Sequence, residues 1–184
     1  MKNNLSLVNS NQIKSLEFIG QKNAIERILS LSGGNAKAGK AMSNVVILGP
    51  SGCGKTLLAR NLANKLGAKY YSIMCSKKTN REYIAYIVEK MVKGDILHFD
   101  ECHALTSGTQ EILYSLIDNQ CIPRDSDPLL TLKVPEITLI FTTNHPGLLN
   151  KELRNRLITI ELEAYSLDDI KQIIRQASKK GVFV

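Results

Sequence analysis

Tryptophan is absent from the 184-residue sequence, and six tyrosines and four phenylalanines make up only 5% of it. Proteins that bind single-stranded nucleic acid without sequence preference stack successive bases on aromatic side chains. So few aromatic residues argue against a surface of that kind. A dominant lysine-arginine run is also lacking, although 24 Lys and Arg residues against 17 Asp and Glu leave a net charge of +7. This surplus favours polyanionic partners only weakly.

No Cys-x-x-Cys pair occurs among the four cysteines, which lie in or beside apolar segments as reduced thiols commonly do. His98, Cys102 and His103 do not complete a zinc ligand set, so we do not expect zinc there. The polar start, MKNNLSLVNSNQ, lacks the apolar segment of a signal peptide, and no apolar run approaches membrane-spanning length. We expect an intracellular, cytoplasmic protein with no membrane partner.

Short apolar runs alternate with helical periodicities along the chain. At 43% apolar and 22% charged residues, the composition suits one α/β domain, or one domain with a fragment of another. The predicted strands are NVVIL (44–48), AKYYSIM (68–74), DILHF (95–99), EITLIFTTN (136–144) and LITIEL (157–162). Helices are predicted between them, the first ending at Gly33-Gly34, and residues 119–128 are predicted to be a polar loop. The alternation predicts a five-stranded parallel sheet flanked by helices, with ligands bound at the strands' carboxyl ends.

The stretch GPSGCGKT (49–56) matches the phosphate-loop pattern G-x-x-x-x-G-K-[ST], with a strand before it and a helical pattern after it. Glycines let such a loop curl so that its N–H groups point at phosphate oxygens beside a helix N-terminus. Lys55 is predicted to reach the β- and γ-phosphates, and the Thr56 hydroxyl to bind Mg²⁺. The sequence therefore predicts ATP and Mg²⁺ as cofactors. The predicted loop contacts are Gly49, Pro50, Ser51, Gly52, Cys53, Gly54, Lys55, Thr56 and Leu57.

The third predicted strand ends in Asp100-Glu101, within the string Asp-Glu-Cys-His. Asp100 is placed to hold Mg²⁺ through water, and Glu101 to polarise the attacking water as general base. The four letters also resemble the box of DExH helicases. Those helicases carry a second nucleotide-binding domain, for which 184 residues leave no room. Because Glu101 is an acid suited to activating water, hydrolysis is favoured over phosphoryl transfer to a small substrate.

Further stretches follow the nucleotide motifs in a recognisable order. They are EFIGQ (17–21), LGPSGCGKTLLA (48–59), GDILHFDECHAL (94–105), QEILYSLIDN (110–119), ITLIFTTNHPGLLNKELRNRL (137–157) and LEAYSLDDI (162–170). In these stretches, which span nearly everything from residue 16 onward, the chain resembles an AAA+ ATPase, and within that superfamily the RuvB family of branch-migration motors. The family has an Asp-Glu-x-His string at this place, so His103 is expected without any DExH relationship.

The resemblance implies roles for residues that the motifs alone leave unassigned. Asn144 matches the polar residue called sensor 1, which helps to place the lytic water. Arg154 matches the arginine finger, which reaches the γ-phosphate of the next subunit and stabilises transition-state charge. Without the resemblance, the arginines near residue 155 would be taken for a solvated basic helix end. The residues that match nucleotide contacts are Phe18 and Ile19 near the adenine, Arg156, and Tyr165.

The resemblance also implies a domain plan and partners. Residues 1–15 are expected to be a flexible lead-in, 16–165 the large ATPase subdomain, and 166–184 the first helix of a helical lid. The family forms hexameric rings on branched DNA. Its β-hairpin docks the junction-binding partner RuvA, whereas residues 119–134 are shorter and lack that hairpin's apolar tip, which leaves a RuvA-like partner open. The family's remaining lid and DNA-binding winged helix fall beyond Val184, so we expect this chain alone to bind ATP, hydrolyse it weakly and not pump DNA.

Three functions remain open from the sequence. The first is the motor core of a ring ATPase that migrates Holliday junctions in recombination and repair. The second is a clamp-loader-like or helicase-loader-like AAA+ switch that remodels a protein partner. The third is a non-catalytic nucleotide-binding assembly module, against which the set Asp100, Glu101, Asn144 and Arg154 counts.

Overall fold

The computed structural model describes residues 18–37, 41–124 and 127–179, with only the backbone described for 32–37, 124 and 127–130. The helices are α1 (Lys22–Lys37), α2 (Lys55–Leu66), α3 (Arg81–Val88), α4 (Ser107–Asn119), α5 (Lys151–Arg154) and α6 (Leu167–Lys179). The strands are β1 (Val45–Leu48), β2 (Tyr70–Met74), β3 (Ile96–Asp100), β4 (Cys121–Arg124), β5 (Asp127–Lys133), β6 (Thr138–Thr143) and β7 (Ile158–Glu161). Single 3₁₀ turns span Cys102–Ala104 and Pro146–Leu148. The predicted lead-in at 1–15 lies outside the described residues.

Five strands form one sheet in the order β2-β3-β6-β1-β7, and every neighbouring pair is parallel. The predicted five-stranded parallel sheet is therefore confirmed. Because β6 is inserted between β1 and β3, the loop after β1, the acids at the end of β3 and the residues after β6 share one edge of the sheet. Ligands of open α/β sheets bind at this edge.

The three central strands, β1, β3 and β6, are buried on both faces, and their side chains alternate between two cores. Val46, Phe99 and Phe141 pack against α3 and α4, with the two phenyl rings stacked 4.9 Å apart. Ile47 and Ile96 pack on the opposite face, against α1 and α2. Because of this alternation, each polar residue of β3 and β6 lies on one face of the sheet or the other. The face determines which side chains that residue can contact.

Two local predictions are wrong. Helix α1 does not stop at Gly33-Gly34 but continues to Lys37, since glycine weakens a helix by only about 1 kcal/mol per residue. Part of the predicted loop at 119–128 forms strands: β4 pairs antiparallel with β5 in a separate two-stranded sheet, with a register shift at Pro123 and Arg124. Prolines and charged residues hide the strand periodicity there.

Helix ends follow the chemistry of their residues. The left-handed Gly67 closes α2. At the start of α6, the Ser166 hydroxyl accepts from Asp169 N–H at 3.1 Å, while the Asp169 carboxylate accepts from Ser166 N–H and Oγ. Among the described residues, no helix is long and apolar enough to cross a membrane.

Candidate nucleotide-binding site

The loop between β1 and α2 takes a backbone shape that depends on glycine. Gly52 and Gly54 have φ of 79° and 91°, a region that side chains disfavour, and Gly54 leads directly into the first turn of α2. A Cβ atom on Gly54 would lie 2.8 Å from the Tyr165 hydroxyl and 3.0 Å from Phe18 Cζ. The glycine therefore permits both the turn and the close approach of two aromatic residues.

Lys55 begins α2 and is only 7% exposed. Its Nζ donates hydrogen bonds to the carbonyl oxygens of Gly49 and Pro50, at 2.9 and 2.8 Å. The ammonium group is thus held inside the curl of the loop by the loop's own backbone. A phosphate oxygen placed there would meet a cation and the N-terminus of a helix together.

Thr56 and Asp100 meet at the carboxyl edge of the sheet. The Thr56 hydroxyl donates to Asp100 Oδ2 at 2.9 Å, across a sequence separation of 44 residues. Mg²⁺ prefers hard oxygen ligands, and a hydroxyl beside a buried carboxylate, next to a phosphate loop, fits that preference. The donor set present therefore suits the metal that the sequence predicts.

Glu101 follows Asp100 with a left-handed backbone, at φ 52° and ψ 47°, which is uncommon for a residue with a side chain. Its Oε2 is buried and accepts no hydrogen bond from the described residues. His103 Nδ1 lies 3.2 Å from this oxygen, but without hydrogen-bond geometry. This carboxylate oxygen thus lies beside an imidazole and has no hydrogen-bond donor among the residues that the structure describes.

The residues after β6 lie against the 3₁₀ turn that follows β3. His103 Nδ1 is 3.1 Å from Thr143 Oγ1, and the His145 amide donates to the same oxygen at 2.9 Å. The rings of His103 and His145 meet edge to face at 4.9 Å. Asn144, which lies between Thr143 and His145 in the sequence, has a buried Oδ1 with no hydrogen-bond partner among the described residues. The Glu101 and Asn144 segments are therefore joined through Thr143 and His103.

An apolar cavity of about 410 Å³ adjoins the phosphate loop. Its lining includes Phe18, Ile19, Gly54, Leu57 and Tyr165, so the structure brings the residues predicted near the base to the loop. A larger cavity of about 730 Å³ also includes Phe18 and Ile19, but no residue of 49–57 lines it. Of these two cavities, the smaller one is therefore the one that joins the predicted residues to the phosphate loop.

Gln21 ties the segment that carries Phe18 to the segment that carries Tyr165. Its amide nitrogen donates to the Glu163 carbonyl at 2.7 Å, and its amide oxygen accepts from the Glu163 N–H at 3.1 Å. This pair of bonds joins the two segments that carry Phe18 and Tyr165, which both line the cavity. The stretch EFIGQ contained this residue, but nothing in its local pattern indicated a partner 142 positions away.

The two predicted arginines are not joined to the phosphate loop by a hydrogen bond or ion pair within the described ranges. Arg154 is exposed at the end of α5, and its side chain has no such partner in the described part of the chain. Arg156 pairs with Asp118 of α4 at 2.8 Å and lies over the Tyr114 ring at 4.9 Å. In the described part of the chain, neither arginine is therefore part of the phosphate-loop site.

The sequence profile of the Holliday junction DNA helicase RuvB P-loop domain matches residues 12–162, more than three quarters of the chain. The chain belongs to the RuvB family. The RuvB subunits of the Holliday junction branch migration complexes of Kosmotoga olearia and Thermotoga petrophila are 32% and 34% identical to it, over 89% and 90% of the chain. It spans about half of those relatives, 49% and 52% of their lengths.

Solved structures agree with this assignment. The Thermotoga maritima RuvB Holliday junction branch migration motor superposes with a TM-score of 0.77 at 30% identity, over 93% of this chain and 55% of that one. NtrX from Brucella abortus, in complex with ADP, superposes with a TM-score of 0.64 at 19% identity, a likeness of fold alone. The described residues thus form the nucleotide-binding P-loop core of a RuvB-family chain.

One polar residue of this RuvB-family core was left without a role by the sequence. His98 lies in the middle of β3 and is fully buried, between Tyr70 and Ser72 of β2 and Thr142 of β6. Burial lowers the pKa of His98, an effect that the charge of Asp100 partly opposes. The signal available was a histidine in an apolar strand, two positions before Asp100 and so on the same face.

Proposed function

We propose that this chain is the ATP-binding and ATP-hydrolysing core of a RuvB-like motor that migrates Holliday junctions in recombination and repair. The observation that carries the proposal is the Thr56–Asp100 hydrogen bond beside a buried Lys55, because it joins both nucleotide motifs at one edge of the sheet. Membership of the RuvB family supports DNA, and branched DNA in particular, as the partner.

Each step of the proposed hydrolysis has a residue of this chain. Lys55 exchanges its two carbonyl acceptors for β- and γ-phosphate oxygens. Thr56, and Asp100 through water, would hold Mg²⁺, which would supply positive charge to the phosphates. Glu101 accepts a proton from the attacking water, and Asn144 orients that water. The buried oxygens of Glu101 and Asn144 that accept no hydrogen bond within the described ranges support this assignment, since each can accept one from water.

Arg154 is proposed to act in a neighbouring subunit. Its exposure and its lack of a side-chain partner among the described residues suit a group that contacts the γ-phosphate across an interface. Arg156, held by Asp118 and Tyr114, is proposed to contact nucleotide beside it. Hydrolysis would then require a ring, hexameric by analogy with the family, and the chain alone would turn over ATP weakly.

Residues 16–165 are proposed to act as the ATPase body and 166–184 as the first part of a lid. Helix α6 supports this division because none of its residues is buried, although Leu167, Ile170 and Ile174 are apolar. The β4–β5 hairpin occupies the chain position at which the family docks RuvA, so any RuvA-like partner would bind at that hairpin.

The test uses ATP binding and phosphate release by the purified chain. A fluorescent ATP analogue should bind with Mg²⁺ and fail to bind Lys55→Ala. For the motor function, phosphate release by the full gene product should be stimulated by four-way DNA more than by linear duplex. Binding that survives unchanged in Lys55→Ala would overturn the nucleotide site. Equal responses to both DNAs, with stimulation by a protein partner instead, would favour the clamp-loader-like switch.

A further inference from the structure

His98 is a fully buried polar residue in the centre of the sheet. Burying an imidazole costs free energy unless its nitrogens are hydrogen-bonded. Both nitrogens have partners: Nδ1 faces the Tyr70 hydroxyl, and Nε2 lies 2.9 Å from Thr142 Oγ1. His98 and Asp100, two positions apart on one strand, face the same side of the sheet. The imidazole thus lies beneath the proposed metal ligand.

The direction of each hydrogen bond follows from counting protons. Thr142 Oγ1 lies 2.6 Å from Asp100 Oδ1, and an ionised carboxylate can only accept, so the threonine donates its single proton there. Thr142 Oγ1 must then accept from His98, which requires the proton to be on Nε2. Nδ1 is left as an acceptor for the Tyr70 hydroxyl. The network has one consistent arrangement, in which Tyr70 donates to His98, His98 to Thr142, and Thr142 to Asp100.

This chain of donors fixes one carboxylate oxygen of Asp100 and leaves the other facing the phosphate loop. Oδ1 accepts from Thr142 and, at 3.1 Å, from the Glu101 N–H. Oδ2 accepts only from Thr56 among the described residues. With Oδ1 held from two sides, rotation of the carboxylate is restricted and Oδ2 is aimed at the Thr56 hydroxyl.

We propose that His98 is a positioning residue that, through Thr142, orients the Asp100 carboxylate toward the metal side of the nucleotide site. The inference rests on the proposed function, in which Asp100 faces Mg²⁺. Residues that orient metal ligands from behind typically change metal affinity about 10–100-fold when they are removed. A histidine that only filled the core would change stability and leave the metal dependence alone.

The first test is spectroscopic and needs no metal or turnover. Long-range ¹⁵N–¹H correlation on the metal-free chain should show His98 as the Nε2–H tautomer. Thr142→Val should shift the Nε2 resonance, because the acceptor of that proton is lost. An Nδ1–H tautomer in the wild-type chain would overturn the assigned network and the proposal with it.

The second test separates positioning from folding by the Mg²⁺ dependence of ATP binding. In His98→Phe and Thr142→Val, the Mg²⁺ concentration that gives half of the Mg²⁺-dependent gain in ATP affinity should rise about 10-fold or more. The ATP affinity measured in EDTA should stay within about 2-fold of the wild-type value. His98→Gln, whose amide can still donate to Thr142, should remain close to wild type. Thr159→Val on β7, distant in the sheet order from Asp100, is the matched control and should change nothing.

Each result decides something. An unchanged Mg²⁺ dependence in Thr142→Val, or equal losses with and without Mg²⁺, overturns the positioning role and leaves the proposed function intact. A wild-type chain whose ATP binding ignores Mg²⁺ overturns the proposed function, and the inference with it. If His98→Phe does not fold, the contrast between His98→Gln and Thr142→Val decides the question.

Discussion

Asp100 and Glu101 are neighbours in the chain with opposite surroundings. Asp100 is 7% exposed and accepts hydrogen bonds from Thr56, Thr142 and the Glu101 amide. The Glu101 side chain is 40% exposed, sits on a left-handed backbone and has one buried oxygen that accepts no hydrogen bond from the described residues. One carboxylate is fully engaged by the fold and the other is not.

The difference separates what folding builds from what ligands complete. A buried acceptor without a donor costs about 1–3 kcal/mol, and backbone strain of this kind costs a similar amount. Such costs are found where a site must receive something else. The Asp100 half of the site is organised by hydrogen bonds of the fold, whereas the Glu101 half, with Asn144, has buried oxygens that accept none from the described residues.

The largest expected effect comes from removing Arg154, the arginine proposed to act in a neighbouring subunit. Arg154→Ala should reduce turnover of the assembled protein about 1,000-fold or more, because transition-state charge is no longer stabilised, while ATP binding to the single chain is unchanged. Phosphate release and analogue binding measure the two quantities. Mixing Arg154→Ala with Glu101→Gln subunits should restore part of the activity, since each supplies what the other lacks. Arg27→Ala, at an exposed position, is the control. An equal loss of turnover in that variant would contradict the role proposed for Arg154.

Removing the Glu101 carboxylate should have the next largest effect. Glu101→Gln should lower turnover about 100-fold or more, because the general base is lost, with ATP affinity nearly unchanged. Sizing the variant with ATP should show a stabilised ring. Glu111→Gln, an exposed position on α4, is the control. A variant that still turns over ATP at the wild-type rate would contradict the role given to Glu101.

Filling the space over the phosphate loop should weaken both binding and folding. Gly54→Ala introduces a Cβ 2.8 Å from the Tyr165 hydroxyl on a backbone with φ 91°. The strain should cost about 1–2 kcal/mol of unfolding free energy, measured by urea, and ATP affinity should fall about 10-fold. Gly108→Ala, where a Cβ meets nothing within 4 Å, should instead be neutral or stabilising. Equal effects at both positions would show that the aromatic contacts are unimportant.

The smallest effect sharpens the description of the organised half. Burial lowers the pKa of His98 from 6.5 to about 4, so the unfolded chain binds a proton that the folded chain does not. Stability from this group is complete above pH 6.5 and declines as pH falls toward the folded value, by at most about 1.4 kcal/mol per pH unit. Urea unfolding from pH 7 to pH 5 should show a shallower loss in His98→Gln. Parallel curves would mean that His98 is not buried neutral.

Local patterns predicted the parts of the site that are contiguous in sequence. The phosphate loop is one stretch between a strand and a helix, and Asp100 ends an apolar strand, so neither needs knowledge of the topology. The contacts of Thr142 with His98 arise because β6 lies beside β3, an order that periodicity does not encode. The contact of Gln21 was missed because its partner, Glu163, lies 142 positions away in the sequence. The β4–β5 hairpin was missed because its polar residues lack strand alternation.

The double hydrogen bond of Gln21 to Glu163 has a mechanical consequence. It joins the segment that carries Phe18 and Ile19 to the connection that leads through Tyr165 into α6. Two walls of the apolar cavity beside the phosphate loop are therefore linked to each other. Movement of α6 would shift both walls together. It would change their contacts with a bound base and leave the pairing of β3 with β6 intact. The contacts of the base would thus depend on the position of this helix, whereas the contacts of the phosphates would depend on the fixed sheet.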